Sequence, residues 1–231
     1  CLDAGHGGKD NGSDYRLRYE KNDNLKITQA VAAYLTDKEN VQVIMTRSDD
    51  TFLSLEERTT FANQNNADYF VSLHRNTGEG NGVETWIRSD ADDKAQSLAQ
   101  NIMDNLDAAG VSRNRGVKKG TQKSESKDYY VNLHTNMPAC IVELGFMNSP
   151  TDNQLFDANL DSYAKAIGDA VLKTYESYGK DGTDATESVE DVPSTEDQTS
   201  TETGTGTTGQ VLQNTQIENV ASLDATSHDW G

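Results

Sequence analysis

Four side chains that could bind a metal ion or transfer protons lie in or beside predicted β-strands, far apart in the sequence. His6 lies in the glycine-rich DAGHGG loop, and Glu20 comes late in the same loop. His74 follows the apolar run YFVSL, and Glu143 is predicted at the end of the strand in ACIVELGF. Because the carboxyl ends of parallel strands meet at one edge of a sheet, these side chains are predicted to converge there.

This combination of residue types is typical of metal-dependent hydrolysis. Two imidazoles and one carboxylate match the ligand set of a catalytic zinc site, which keeps a fourth position for water or substrate. A remaining carboxylate beside such a site could take a proton from water whose pKa the metal has lowered. Glu143 is the residue predicted for that proton transfer.

Taken singly, three of the four residues also have simpler explanations. His6 fits a capping or surface histidine on a loop, and His74 fits a hydrogen-bonded histidine at the end of a strand. Glu20 fits a solvated charge that precedes a helix. Glu143 differs from these, because a carboxylate inside an apolar run usually has a partner or a function.

The charge of the chain is unevenly distributed. Of the 231 residues, 38 are acidic and 20 are basic, which gives a net charge of -18. Residues 181–231 contain eleven acidic residues and no Lys or Arg, so residues 1–180 carry a net charge of only -7. A net acidic chain without a basic run is repelled by nucleic acid, so no nucleic-acid partner is predicted.

The apolar runs bear on membrane association and on the cysteines. None is long enough to span a bilayer, so no transmembrane segment is predicted, and no signal peptide is recognised. Because the chain begins inside an apolar, strand-like run, we expect that upstream residues have been removed, which is compatible with a lost export signal. Cys1 and Cys140 lie in such runs, which favours buried thiols over a disulfide framework.

Helical and strand-like patterns alternate, which predicts a single α/β domain over residues 1–178 with a mostly parallel, twisted sheet flanked by helices. Residues 5–23 and the basic, glycine-punctuated residues 110–127 are predicted to be loops. The predicted helices are residues 23–38, 54–65, 91–108 and 157–178, and the predicted strands are residues 41–46, 69–73, 82–87, 129–133 and 139–144.

The composition changes after the last predicted helix. Residues 179–209 are rich in Thr, Ser, Gly and acidic residues, with scarcely an apolar side chain. Such a segment cannot bury enough surface to offset its chain entropy, so a disordered acidic linker is predicted. Residues 210–231 regain some apolar character and form a short tail segment to which the sequence assigns no role.

The motifs DAGHGG, EKNDNL, SLHRN and ACIVELGFMNS, in this order and spacing, resemble the zinc-dependent N-acetylmuramoyl-L-alanine amidases of the Amidase_3 family, which are bacterial cell-wall hydrolases. The resemblance covers residues 1–178. It implies that His6, Glu20 and His74 bind one Zn²⁺ ion, and that Glu143 is the catalytic glutamate.

The resemblance also implies a reaction and a location. The reaction is hydrolysis of the amide bond between the lactyl group of N-acetylmuramic acid and the L-alanine of a peptidoglycan stem peptide. Peptidoglycan or muropeptides are then the expected partners, in the cell wall, in the periplasm or outside the cell. Two alternatives remain open: a catalytically silent wall-binding or regulatory protein on the same fold, and a zinc peptidase of another type.

Several residues depart from the family pattern or extend it. Arg75 stands where family members usually carry a small residue, and it is predicted either to contact substrate carboxylates or to lie at the surface, with the surface favoured. His134 matches no family ligand and is predicted to have a structural or substrate-side role. Arg115, in a loop that resembles one near the substrate groove, and Asn76 are predicted to bind substrate. The segment between His74 and Glu143 is predicted to be too short for a regulatory helix, so a site that is open without a protein activator is expected.

Overall fold

The computed structural model describes residues 1–125 and 127–179, so the linker and tail predicted beyond Gly179 lie outside the described residues. The strands are β1 Leu2–Ala4, β2 Asp14–Tyr15, β3 Arg18–Tyr19, β4 Phe70–Asn76, β5 Val83–Ile87, β6 Asn114–Lys119 and β7 Ala139–Phe146. The helices are α1 Glu20–Thr36, α2 Leu55–Gln64, α3 Asp93–Ala108, α4 Tyr130–His134, α5 Pro150–Ala158 and α6 Leu160–Tyr178.

Five strands form one sheet in the order β1-β4-β7-β5-β6, and β2 pairs with β3 in a separate hairpin. Strands β1, β4 and β7 run parallel to one another, whereas β5 is antiparallel to β7 and parallel to β6. The predicted α/β fold with a mostly parallel sheet is thus confirmed. The reversal at β5 places the amino-terminal ends of β5 and β6 beside the carboxyl end of β7.

Apolar side chains cover both faces of this sheet. Helices α1, α3 and α6 pack together on one face and bury the larger core, which includes Val71 and Val142. Helices α2 and α4 pack on the other face over a smaller core that includes Phe70 and Ile141. Since side chains alternate along a strand, His74 and Glu143 share the face of the smaller core.

Four predictions of local structure were wrong. The predicted loop at residues 5–23 contains the short β2–β3 hairpin and the start of α1. Residues 41–46 lie beside β1, with a hydrogen bond from Leu2 N to Ile44 O of 2.8 Å, but they form only an isolated bridge rather than a regular strand. The predicted loop at residues 110–127 contains β6, which pairs with β5. The predicted strand at residues 129–133 is helix α4. A short apolar run fits either a strand or one buried helical turn, so its tertiary partners decide between them.

The carboxyl-terminal helical region is also divided differently from the prediction. Helix α5 precedes α6, and the boundary between them lies at Asn159. The start of α5 carries a recognisable signal, because the Ser149 side chain accepts a hydrogen bond from Asp152 N and Pro150 occupies the first turn. Sequence reasoning missed this signal.

The prediction of buried thiols is confirmed for Cys140, whereas Cys1 is only partly buried. Both Cys1 and Cys140 are free thiols, and Cys140 is buried. Burial raises the pKa of the Cys140 thiol, which makes this group unreactive. In the described part of the chain, no helix is both long and apolar enough to cross a membrane.

Helix α2 starts with the predicted capping box. Ser54 Oγ accepts a hydrogen bond from Glu57 N at 3.2 Å, and Glu57 Oε2 accepts one from Ser54 N at 2.7 Å. These two bonds satisfy backbone donors that the first helical turn would otherwise leave unpaired. The cap therefore fixes the start of α2, from which Arg58 reaches the centre of the fold.

Arg58 holds the end of β1 and the loop that follows. Its Nη1 lies 2.7 Å from Asp3 Oδ1, and its Nη2 donates to the carbonyl oxygen of His6 at 2.8 Å. Asp3 also accepts hydrogen bonds from Ser72 and Thr46, at 2.6 Å each. Burial would raise the pKa of Asp3, but the Arg58 charge and the three donors lower it overall. Asp3 therefore stays ionised inside the protein.

Replacing Arg58 by Met is expected to lower the free energy of unfolding by about 3–5 kcal/mol, because the variant leaves a buried carboxylate without its cation. Since the pKa of Asp3 is lowered on folding, the stabilisation is present at neutral pH and is lost as the pH falls through the folded-state pKa. Chemical denaturation at pH 7 measures the change. The control is Arg88→Met, which breaks the exposed pair with Asp90 and should have a much smaller effect. Equal losses in the two variants would contradict this role of Arg58.

Candidate metal centre

Three of the sequence-predicted site residues lie together in the structure. One ligand atom from each of His6, Glu20 and His74 lies within 4.8 Å of the others. Glu20 Oε1 is 3.2 Å from His6 Nε2 and 3.0 Å from His74 Nδ1. The two imidazole rings have centroids 5.0 Å apart and are close to perpendicular. The three side chains thus surround a space in which one cation would contact all of them.

Each of these residues comes from a different element. His6 lies in the loop after β1 with a φ of 60°, and His74 lies in β4. Glu20 is the first residue of α1, which starts three residues earlier than predicted, and a carboxylate is favourable at that end of the helix dipole. The backbone N–H of Arg75 donates to Glu20 Oε1 at 3.1 Å, and that of Ser13 donates to Glu20 Oε2 at 2.8 Å.

Two glycines allow the backbone to pack against the ligands. A Cβ atom on Gly5 would lie 2.1 Å from His74 Cε1. A Cβ atom on Gly12 would lie 2.5 Å from His6 Cδ2 and 2.6 Å from Glu20 Oε2, and the φ of Gly12 is +63°. Any side chain at either position would push a ligand out of place, so these glycines are required by the packing around the centre.

Asp10 orients the imidazole of His6. Asp10 Oδ2 lies 2.8 Å from His6 Nδ1, while Asp10 Oδ1 accepts a hydrogen bond from Gly12 N at 2.9 Å. This contact directs the other ring nitrogen, Nε2, toward Glu20. A carboxylate in this position is the usual outer partner of a metal-binding histidine.

The electrostatics of the centre favour a bound cation. Burial alone would lower the pKa of His6, but hydrogen bonds and charges from Asp10 and Glu20 raise it to about 10. Burial would likewise raise the pKa of Glu20, but His6 and His74 hold it well below its usual value. The carboxylates of Glu20 and Asp10 thus attract a positive charge, and a divalent ion could replace the proton on His6. The donor set and this charge balance both fit a metal ion.

Glu143 stands next to this group on β7. It pairs in register with His74 on β4 and with Glu84 on β5, and its position is the middle of β7 rather than the predicted strand end. Its Oε2 atom is buried and has no hydrogen-bond partner among the described residues. Burial, followed by the charges of Glu20 and Glu84, raises the pKa of Glu143 well above its usual value. Such a carboxylate is suited to proton transfer.

Glu84 is a site residue that sequence reasoning missed. Its side chain is 3% exposed. Its Oε1 accepts hydrogen bonds from Asn76 Nδ2 at 2.8 Å and from Trp86 Nε1 at 3.2 Å, and its Oε2 accepts one from Arg115 Nε at 2.7 Å. Glu84 therefore brings both predicted substrate-binding residues beside Glu143. The signal was a carboxylate within the apolar run GVETWI, the same kind of signal that identified Glu143.

The prediction that Arg75 lies at the surface was wrong. Arg75 is 2% exposed, donates from Nη1 to Asp23 Oδ2 at 2.6 Å and from Nη2 to Asn153 Oδ1 at 2.7 Å, and packs over the ring of Phe156. Its position explains this burial, because neighbouring residues on a strand point to opposite faces. While His74 faces the metal centre, Arg75 points between α1 and α5, where Asp23 provides the opposite charge.

His134 stands apart from the three clustered ligands. It is the last residue of α4, and its ring packs 4.0 Å from that of Tyr130. Its carbonyl oxygen accepts a hydrogen bond from Asn63 at 2.9 Å, which connects α4 to α2. The structural or substrate-side role of His134 stays a prediction.

Residues 1–173 match the model of the Amidase_3 family, which is described as N-acetylmuramoyl-L-alanine amidase. The chain belongs to this family. The Amidase_3 match covers every strand of the described chain and all helices but the last turn of α6.

The chain is similar to an uncharacterized protein and to two proteins named N-acetylmuramoyl-L-alanine amidases. The uncharacterized protein YqiI of Bacillus subtilis is 37% identical over 183 residues, which are 77% of this chain and 82% of that protein. The sporulation-specific N-acetylmuramoyl-L-alanine amidase of B. subtilis is 32% identical over 152 residues, 65% of this chain. The present chain spans only 57% of the length of that amidase. The crystal structure of an N-acetylmuramoyl-L-alanine amidase from Clostridium difficile 630 is 34% identical with a TM-score of 0.71, covering 77% of this chain and 96% of that one.

Replacing Gly5 by Ala in this Amidase_3 domain is expected to weaken binding of a divalent metal ion about tenfold or more, because the new methyl group displaces the His74 ring. Metal titration of the purified protein measures the affinity, and circular dichroism checks the fold. Gly80→Ala is the matched control, since a Cβ atom there meets only the ring of Phe146, at 3.0 Å. Unchanged affinity in Gly5→Ala would show that His74 is not a ligand.

Proposed function

We propose that this Amidase_3 protein is a zinc-dependent hydrolase that cleaves the amide bond between the lactyl group of N-acetylmuramic acid and the L-alanine of peptidoglycan stem peptides. The observation that carries the proposal is the convergence of two imidazoles and a carboxylate beside Glu143, whose buried Oε2 has no partner among the described residues. Membership of the family supports the choice of substrate.

His6, Glu20 and His74 would hold one zinc ion, since two imidazoles and a carboxylate are a common protein ligand set for catalytic zinc. When bound, zinc supplies a Lewis acid that polarises the amide carbonyl and lowers the pKa of water. Asp10 forms a hydrogen bond with His6 Nδ1, so that His6 Nε2 points to the space where the zinc ion would bind. Gly5 and Gly12 leave the space that the two imidazoles and Glu20 require.

Glu143 would act as the general base and then as the general acid. Its raised pKa suits it to take a proton from the attacking water and to pass the proton to the departing alanine nitrogen. The C–N bond then breaks, which leaves a carboxyl group on the lactyl ether and a free amine on alanine. No other proton donor or acceptor is needed for this balance.

We also place the reaction outside the cytoplasm, where peptidoglycan is found. Glu143 is partly exposed on the face of the sheet that α2 and α4 flank. This supports activity on peptidoglycan or muropeptides without a protein activator, which incubation of the purified protein with purified cell walls would test. Because the sequence contains no recognisable wall-anchoring repeat, we propose that a wall-targeting partner or a segment beyond the described residues directs the protein to the cell wall.

Glu143→Gln is expected to lower kcat about 100-fold or more, because the amide cannot accept the proton of the attacking water. Its zinc content should stay at the wild-type level, since Glu143 is not one of the three ligands. Release of peptide from purified peptidoglycan measures turnover, and elemental analysis measures zinc. Glu79→Gln, an exposed glutamate with the same change of charge, is the control. Near wild-type turnover in Glu143→Gln would refute the proposed role.

His6→Ala is expected to lose zinc while the protein remains folded, because the variant removes one of three ligands. Hydrolysis should stop with this variant and with a chelator, and added zinc should restore only the chelated wild type. Elemental analysis and circular dichroism provide the two readouts. Retention of stoichiometric zinc in the folded variant would contradict the ligand assignment.

The reaction products distinguish the alternative functions. Mass spectrometry of a digested muropeptide should show intact N-acetylmuramic acid and a peptide that begins with alanine. A zinc peptidase of another type would leave alanine attached to the sugar, and a silent wall-binding protein would release no peptide. Either result would refute the proposed amidase activity.

A further inference from the structure

The Arg115 guanidinium is held in a fixed position by only one of its nitrogen atoms. Its Nε donates to Glu84 Oε2 at 2.7 Å, and its carbon Cζ lies 5.0 Å from the ring centroid of Phe146. Glu84 in turn is held by Asn76 and Trp86. The orientation of Arg115 is therefore set before any ligand arrives.

The two terminal amino groups of Arg115 remain available for a ligand. Neither Nη1 nor Nη2 makes a hydrogen bond to any described residue, and the side chain is 28% exposed. A guanidinium with both Nη atoms available presents parallel donors that match the two oxygens of a carboxylate. Arg115 thus provides a preformed receptor for a carboxylate rather than only a counter-charge for Glu84.

The position of Arg115 determines which carboxylate it would meet. Glu143 lies on β7, Glu84 beside it on β5, and Arg115 on β6. The Arg115 side chain reaches back to Glu84 on β5, which pairs with Glu143, and neighbouring strands are about 4.8 Å apart, so the guanidinium lies roughly 5–8 Å from Glu143. An extended peptide advances about 3.3–3.6 Å per residue. The carboxylate would therefore belong to the second stem residue, the one after the alanine that is released.

The surrounding charges make this recognition selective. The acidic side chains of Glu84 and Glu143 lie in register on neighbouring strands, so this part of the sheet disfavours an anionic substrate. A substrate carboxylate is favourable there only where a cation faces it. A neutral carboxamide in its place has one acceptor oxygen and one NH₂ donor group. The NH₂ group would face the N–H donors of Arg115 and could not accept a hydrogen bond from them.

We propose that Arg115 is a specificity-determining residue that binds the free carboxylate of the second stem residue. This inference rests on the proposed amidase activity. The protein therefore prefers stem peptides in which this group is a carboxylate over those in which it is a carboxamide.

The test uses two soluble muropeptides, N-acetylmuramoyl-L-alanyl-γ-D-glutamyl-L-lysine and N-acetylmuramoyl-L-alanyl-D-isoglutaminyl-L-lysine, in which the third residue occupies the γ-carboxyl group, with the zinc-loaded full chain. The wild type should show a kcat/KM about tenfold or more higher for the carboxylate form, carried mainly by KM, because hydrogen bonds to a charged group are the stronger ones. In Arg115→Gln the ratio of the two kcat/KM values should fall close to one, because only the kcat/KM for the carboxylate form decreases. Arg115→Lys should recover only part of it.

Lys119→Gln is the matched control, because it removes one positive charge from the exposed end of the same strand and should leave the ratio unchanged. Calorimetric binding of both muropeptides gives a second readout that does not depend on turnover. A wild-type ratio of one, or equal losses on both substrates in Arg115→Gln, would overturn the inference while the amidase activity stands. Selective binding that Arg115→Gln abolishes, without cleavage of either compound, would support the inference and refute the amidase.

Discussion

The burial of Glu20 between two imidazoles is the interaction on which the rest of the site depends. A carboxylate that is 4% exposed in its side chain must be paired, and here His6 and His74 face it while backbone N–H groups bond both of its oxygens. Those contacts require the loop after β1, the start of α1 and the middle of β4 to meet at one point. The Asp3–Arg58 pair and the close packing at Gly5 and Gly12 hold these three segments in place.

The charged side chains around Glu20 are paired with opposite charges. Asp10 pairs with His6 on the loop, and Asp23 pairs with Arg75 on the side of α1. Across the sheet, Glu84 pairs with Arg115. Glu143 is the exception, since its Oε2 has no partner among the described residues. An uncompensated carboxylate inside a well-compensated site is costly for folding, which is the reason to connect it with catalysis.

Most elements could be predicted because their signals are local. The capping box at Ser54 and the helical stripe of α3 are typical of helices, and the apolar runs of β4 and β7 favour strands. Strand β6 and helix α4 could not be predicted in this way. The polar sequence of β6 becomes a strand because β5 offers it hydrogen bonds, and the apolar residues of α4 suit a strand and a helical turn equally.

The sequence by itself determined the α/β class, the family resemblance and the convergence of His6, Glu20 and His74, because these follow from motif order and from the shared edge of parallel strands. Only the tertiary structure decided the surroundings of these residues. Because β5 runs antiparallel to β7, Glu84 and Arg115 lie beside Glu143. Because side chains alternate between the two faces of β4, Arg75 is buried against Asp23. Strand direction and neighbouring helices arise from contacts between distant residues, so no local pattern records them.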